Sequence, residues 1–186
     1  MRLTWQLIAR QQKAFLPLWL LWSIFLYQRG AFSPWTLRGV LLGVFLLLIA
    51  LIDGRYGYIF DRLLLAMAAM GLGCEVLLSP WPGTEMLLGV FWGSGILLLL
   101  RWISRGGVGA GDVKFMAALG CWFSWEEILL TLLFAFWIGG FAALWFLGVR
   151  RKNLRDTLPF GPFLAGSALL VFWAGDAIMA WYRSFL

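Results

Sequence analysis

The chain has 186 residues, of which 62% are hydrophobic and 13% are charged, and its formal net charge is +6. A soluble domain of this length would hold about 45–50% apolar and about 25% charged residues, so the composition indicates a multi-span membrane protein. Histidine is absent, which excludes His-based catalysis, His metal sites and Ser-His-Asp triads. The basic excess is typical of loops beside anionic lipid headgroups, so we expect the lipid bilayer and not nucleic acid as a partner.

The hydrophobic pattern predicts an all-α, polytopic membrane bundle of about seven spans (range six to eight), forming a single domain over residues 1–186. The amino end imitates a signal peptide but lacks a cleavage site, so we interpret it as a retained first span. The fifth span is the shortest and follows a glycine-rich segment. The predicted spans cover residues 14–28, 37–52, 63–78, 86–103, 113–123, 128–149 and 160–179.

Basic residues divide unevenly between the two sides of such a bundle. With the amino end inside, twelve of the fifteen Lys and Arg residues fall on the cytoplasmic side, as the positive-inside rule requires. This arrangement predicts a carboxyl end on the outer side. The outer group is Arg29, Arg38 and Arg183, and the inner group is Arg2, Arg10, Lys13, Arg55, Arg62, Arg101, Arg105, Lys114, Arg150, Arg151, Lys152 and Arg155.

Two aspartates stand at the ends of predicted spans on the same membrane face. Asp53 ends the second span and Asp112 begins the fifth, so the topology brings both to the cytoplasmic border. A carboxylate at a membrane border is costly unless it faces a wet cavity or a partner. Glu75 and Asp176, in contrast, are expected near outer span ends, where water is close.

The stretch GGVGAGDVKFMAALG leads into the fifth span. Glycine permits unusual torsions and close backbone approach, so we expect residues 106–111 to break the bundle. Gly109 and Gly111 would then either adopt torsions that only glycine tolerates or form a helix-breaking turn with no catalytic role. Two carboxylates sharing a site retain one proton between them, so one can activate water while the other polarises a carbonyl. Asp112 could instead be a helix cap, and Asp53 could pair with a nearby arginine, so spacing alone leaves both roles open.

Three segments together resemble the type IV prepilin leader peptidases, a family of aspartic membrane proteases. GAGDVKFMAALG resembles their GxGD-x-K signature, and LIDGRYGYIFDRL resembles their other active-site segment, in which a second Asp or Asn follows eight residues after the first. LPFGPFLAG resembles the entry to their last helices. Presenilins and signal peptide peptidases share GxGD, but their first aspartate usually follows tyrosine, whereas Ile52 precedes Asp53.

The resemblance implies that Asp53 and Asp112 are the catalytic aspartates and that cleavage needs neither metal nor cofactor. The reaction would remove the short basic leader from a type IV prepilin or pseudopilin. The enzyme would lie in the bacterial cytoplasmic membrane, with its active site facing the cytoplasm. The residues implied to support the site or bind substrate are Gly109, Gly111, Lys114, Asp61, Pro159, Gly161 and Pro162.

The chain departs from the family pattern in two respects. Phe60 stands where the family usually has proline before the second acidic residue, which affects the local loop. The family's Cys-rich cytoplasmic domain is absent, so the chain resembles a short form. Family members often also methylate the new amino terminus with S-adenosylmethionine. Because the predicted cytoplasmic loops are short, we expect this chain to methylate weakly or not at all.

Two alternatives belong to other functional classes. A transporter or proton conductor would also use membrane-border carboxylates and a glycine break, but it would be expected to place acidic residues deeper in the spans. An inactive scaffold of a pilus or secretion assembly would not need to keep both Asp53 and Asp112. The sequence favours the peptidase over both.

Overall fold

A computed structural model of the chain describes residues 15–27, 33–78, 83–150 and 159–185. These residues form seven helices and no strand, which confirms the all-α membrane bundle. Each predicted span corresponds to one helix. The helices are α1 (Phe15–Tyr27), α2 (Pro34–Tyr56), α3 (Asp61–Leu78), α4 (Gly83–Ile103), α5 (Ala110–Gly120), α6 (Trp125–Arg150) and α7 (Gly161–Arg183).

Some predictions concern residues outside these ranges. They include both ends of the first predicted span and the outer turn around residues 79–82. They also include seven of the basic residues used for the topology, which are Arg2, Arg10, Lys13, Arg29, Arg151, Lys152 and Arg155.

Four helices, α2, α4, α6 and α7, are long and apolar enough to cross a membrane, and α1 is a shorter apolar helix. Helix α3 has 18 residues and carries three charged side chains, whereas α5 has 11 residues. At 1.5 Å per residue α5 rises only about 16 Å, roughly half of the ~30 Å hydrocarbon core, so it cannot cross by itself. Large apolar side chains such as Phe91 and Trp145 are exposed on the outer faces of α4 and α6, as expected for helices in contact with lipid.

Local sequence signals fix several helix ends. Ser33 caps α2 by accepting the N–H of Thr36 at 3.1 Å, and Pro34 occupies the first helical position. Gly57 caps the carboxyl end of α2, and its φ of 63° is the left-handed conformation that glycine adopts without strain. Ser124 and Glu127 form a reciprocal capping box at the start of α6.

The short helix α5 lies inside the bundle and packs most extensively against α4, with further contacts to α3 and α6. Helix α2 packs on α7 and α3, and α6 packs on α7 and α4. Phe115, Leu119 and Met67 are fully buried in the core that these helices share. The expectation that Glu75 lies close to water is wrong, because it is only 8% exposed and pairs with Arg38.

Candidate active site

A cavity of about 740 Å³ opens where the end of α2 meets the start of α5. Asp53 and Asp112 both line it, together with the glycine-rich loop between α4 and α5 and the segment that enters α7. The two carboxylates are buried, with exposures of 5% and 9%. The structure therefore brings together the two aspartates that the sequence selected, from helices that are distant along the chain.

Asp53 receives a hydrogen bond from the first residue of α7. The backbone N–H of Gly161 donates to its Oδ2 atom at 2.9 Å, across 108 residues of sequence. This N–H is one of those that a helix leaves unpaired at its amino end, where a carboxylate is a favourable acceptor. None of the ion pairs among the described residues includes Asp53, so the alternative pairing with Arg55 or Arg62 is absent there.

Asp112 is the third residue of α5, and Gly109 is the N-cap. The Asp112 side chain accepts the N–H of Gly109, as the third residue does in a capping box. Burial is the largest cause that raises the pKa of Asp112, the nearby Asp53 carboxylate also raises it, and the Gly109 hydrogen bond lowers it, so that the pKa rises from its ordinary value of 3.8 to about 6. Asp112 therefore does form part of a helix cap, but in a setting that favours its protonated state.

The glycines act through close contacts and not through unusual torsions at the predicted positions. Gly109 has φ −63° and ψ 140°, and among the glycines in the described residues only Gly57 and Gly106 have positive φ. The prediction of glycine-only torsions at Gly109 and Gly111 is therefore wrong. A Cβ atom on Gly109 would lie 2.7 Å from Oδ2 of Asp112, and one on Gly161 would lie 2.6 Å from Oδ2 of Asp53. Any residue larger than glycine at either position would therefore collide with the neighbouring carboxylate.

Gly111 and Pro162 lie outside the cavity lining. A Cβ on Gly111 would lie at an ordinary 3.4 Å from Ile59, in the loop between α2 and α3. Pro162 packs against Gly54, whose added Cβ would lie 3.3 Å from the proline ring. Pro159, in contrast, lines the cavity itself.

Asp61 and Lys114 form a separate ion pair. Lys114 Nζ donates to both carboxylate oxygens of Asp61 at 2.8 Å, and both side chains are more than half exposed. They line a second, mainly apolar cavity of about 510 Å³ between α3 and α5. These two signature residues therefore join α3 to α5 and do not enter the cavity that holds Asp53 and Asp112.

Several residues at the site were not identified from the sequence. Arg101, in the last turn of α4, donates to the backbone oxygen of Val108 and so ties down the glycine-rich loop. Phe136 of α6 and Phe160 pack 5.4 Å apart, centroid to centroid, and both line the cavity, as does Arg55. A basic residue just before a glycine-rich loop is a sequence signal for the carboxyl end of a helix, and it could have pointed to Arg101. Phe136 lies in a uniformly apolar helix, which offers no such signal.

No group of three or more His, Cys, Asp or Glu side chains within the described ranges is arranged to hold a metal ion. Cys74 and Cys121 are both free thiols, so they do not form a disulfide with each other. The chemistry available in the cavity is that of two buried carboxylates, one arginine and the surrounding backbone.

Comparison with known proteins adds an independent observation. Residues 40–144 match the model of the type IV leader peptidase family. The leader peptidase HopD of Escherichia coli is 33% identical over 139 residues, covering 72% of this chain and 88% of HopD. HopD of Salmonella typhimurium is 35% identical over 137 residues, with coverage of 69% and 87%.

Longer relatives match over only part of their length. A prepilin leader peptidase/N-methyltransferase of Aeromonas salmonicida is 30% identical over 154 residues, covering 80% of this chain but 53% of that protein. The chain thus spans about half the length of such relatives. No solved structure matches it. The extent of the family match, which includes both Asp53 and Asp112, shows that the chain belongs to the type IV leader peptidase family.

Proposed function

We propose that this chain is a membrane aspartic endopeptidase that removes the leader from type IV prepilins or pseudopilins. The observation that carries the proposal is the meeting of Asp53 and Asp112 in one cavity, in a chain that belongs to the leader peptidase family. Relatives of this chain bear the names leader peptidase and prepilin leader peptidase. The proposal extends their named activity to this shorter chain.

In the proposed reaction the two carboxylates share one proton. Asp112, whose pKa is raised to about 6, holds it, while Asp53 is ionised and accepts the Gly161 N–H. Asp53 takes a proton from water as the water oxygen bonds to the scissile carbonyl carbon, and Asp112 gives its proton to the carbonyl oxygen. Asp53 then protonates the amide nitrogen, the C–N bond breaks, and Asp112 recovers a proton from the gem-diol.

The cavity suits an extended peptide at the membrane border. Glycines line one wall and leave room for a second backbone, and the rings of Phe136 and Phe160 form an apolar wall. A substrate with a basic leader and a following apolar helix would place its scissile bond at this level. With the proposed orientation, the cavity faces the cytoplasm of a bacterium and the chain lies in its inner membrane.

The direct test is cleavage by the purified full chain in phospholipid vesicles. A prepilin should yield a shorter product whose mass places the cut between leader and apolar helix, and chelators should leave the rate unchanged. An intact prepilin after long incubation with folded protein would contradict the proposal. The transporter alternative would instead be supported by proton flux in the same vesicles without cleavage.

A further inference from the structure

The short helix α5 carries Asp112 at one end and is held at the other by polar and close-packed contacts. Trp122, just beyond its end, is 2% exposed, and its indole N–H donates to the backbone oxygen of Met67 at 2.9 Å. Gly120 contacts α4 so closely that an added Cβ would lie 2.4 Å from the backbone nitrogen of Val90. Because α5 cannot cross the membrane by itself, these contacts set its position in the bundle.

Arg38 links this end of α5 to α2. Its guanidinium donates to the backbone oxygen of Trp122 and pairs with Glu75 of α3 at 3.6 Å, and its side chain is only 14% exposed. Glu127 of α6 lies near enough to interact with the same guanidinium. Arg38 belongs to the basic residues predicted for the outer side, and its side chain lies in a buried contact between helices.

Helix α2 also carries Asp53, which makes this link relevant to catalysis. Arg38 is in the first turns of α2 and Asp53 is in its last turn, whereas Trp122 and Asp112 stand at opposite ends of α5. Helix α2 packs mainly on α7 and α3, whereas α5 packs on α4, α3 and α6, so the two helices share little surface. The hydrogen bond from Arg38 to Trp122 is a direct tie between the helices that present the two carboxylates.

We infer that Arg38 is a positioning residue that sets the register of α5 against α2 and so holds Asp112 opposite Asp53. This inference rests on the proposed aspartic mechanism. A helix behaves as a stiff rod over three turns, so displacement at Trp122 moves Asp112 as well. A misplacement of about 1 Å at a reacting group costs on the order of 10²-fold in rate.

The test compares four variants of the full chain in vesicles with a prepilin substrate. Arg38→Gln removes the tie but leaves Glu75 buried without its partner, so Arg38→Gln with Glu75→Gln removes that charge as well. Glu75→Gln alone keeps the bond to Trp122. Arg183→Gln is the matched control, because it removes an exposed arginine that pairs with Glu126 on the same side of the bundle.

We expect both variants that lack Arg38 to lose about 10-fold to 10²-fold in kcat with a smaller change in KM, because α5 shifts while the rest of the cavity is kept. In these variants Asp53 lies farther from Asp112 and therefore raises the pKa of Asp112 less. The basic limb of their pH profile should then move to lower pH. Among the described residues, Arg55 of α2 lines the cavity with Asp112, Arg101 of α4 binds the loop that leads into α5, and Lys114 of α5 pairs with Asp61 outside the cavity. Glu75→Gln and Arg183→Gln leave these groups in place and should keep the wild-type limb.

A native thiol supplies a readout that does not depend on activity. Cys121 caps the end of α5 and is half-buried. In a Cys74→Ser background, Arg38→Gln should increase the rate at which N-ethylmaleimide labels Cys121, and Arg183→Gln should not. Equal labelling of Cys121 in both variants would contradict the inference.

Besides equal labelling of Cys121, three kinetic results would overturn the inference while leaving the proposed peptidase intact. They are wild-type kcat in the Arg38→Gln variant, recovery of wild-type kcat when Glu75→Gln is added, and a uniform loss of rate at every pH with no movement of the basic limb. The second result would show that Arg38 only neutralises the charge of Glu75. The third would show that Arg38 only stabilises the folded chain. Failure of the proposed function is distinguishable, because wild-type protein would then not cleave.

Discussion

Two neighbouring sets of charged side chains, both from signature segments, have opposite surroundings. Asp53 and Asp112 are almost fully buried and line one cavity, and neither belongs to an ion pair among the described residues. Asp61 is 56% exposed, and Lys114 neutralises it. Water weakens such a surface pair to about 0.2–1 kcal/mol, whereas burial strongly disfavours a second negative charge. Burial, and not membership of a motif, separates the carboxylates suited to acid–base chemistry from the structural one.

The strongest test of this comparison replaces each aspartate by its amide. Asp53→Asn and Asp112→Asn should each reduce prepilin cleavage by about 10³-fold or more, because each removes half of the acid–base couple. Asp61→Asn should change the rate less than about fivefold, because an exposed ion pair adds little. Product mass spectra and membrane content are measured for all three. Substantial cleavage by Asp112→Asn would end the aspartic mechanism.

The comparison extends to the glycines beside these carboxylates. Gly109→Ala and Gly161→Ala place a Cβ within 3 Å of a carboxylate oxygen, so each should lower kcat by about 10²-fold through displacement of that group. Gly111→Ala is the matched control, because its Cβ meets only Ile59 at 3.4 Å, and it should stay within about twofold of wild type. Equal losses at Gly109 and Gly111 would show that helix-breaking, and not contact with Asp112, is what matters.

The raised pKa of Asp112 predicts the pH dependence of the reaction. The proton needed on Asp112 is lost as pH rises through about 6, so kcat/KM should fall about tenfold per pH unit above that value. The folded state binds this proton more tightly than the unfolded chain, so stability should decrease as pH rises from about 4 to about 6 and then level off. Asp112→Asn should remove this slope in thermal unfolding, while Asp61→Asn should retain it.

The exposed pair should behave as an ordinary surface interaction. Asp61→Asn and Lys114→Gln should each lower the free energy of unfolding by less than about 1 kcal/mol, and the double variant should lose no more than either single variant. High salt should remove the difference from wild type. A loss of several kcal/mol that persists in high salt would show that this pair is buried in the membrane-bound protein.

The smallest expected effect concerns the new amino terminus of the cleaved pilin, which we expect to remain largely unmethylated. The cavity of about 740 Å³ is larger than the short loops suggested, so volume alone does not exclude a donor of the size of S-adenosylmethionine. Its charged side chains, however, are Asp53, Asp112 and Arg55, and the proposed cleavage reaction uses the first two. Mass spectrometry of a pilin processed with the methyl donor present decides this, and full methylation would contradict it.

The class of the molecule and several residues of the candidate site could be predicted from the sequence. Hydrophobic segments, helix caps and the glycine break are local signals, so they predicted seven helices and the chain positions of Asp53 and Asp112. Local signals failed for Glu75 and for the torsions of Gly109, because burial and contact depend on what other helices bring near a residue. The same limit hid Phe136, which lies in a uniformly apolar helix.

The polar contacts between distant segments could not be predicted from the sequence. Asp53 meets Gly161 across 108 residues, Arg38 meets Trp122 across 84, and Lys114 meets Asp61 across 53. Such pairings follow from how rigid helices pack, and packing depends on the summed shape of many side chains and not on any one segment. The sequence therefore predicted the two carboxylates, and the packing of α2, α5 and α7 brings them into one cavity.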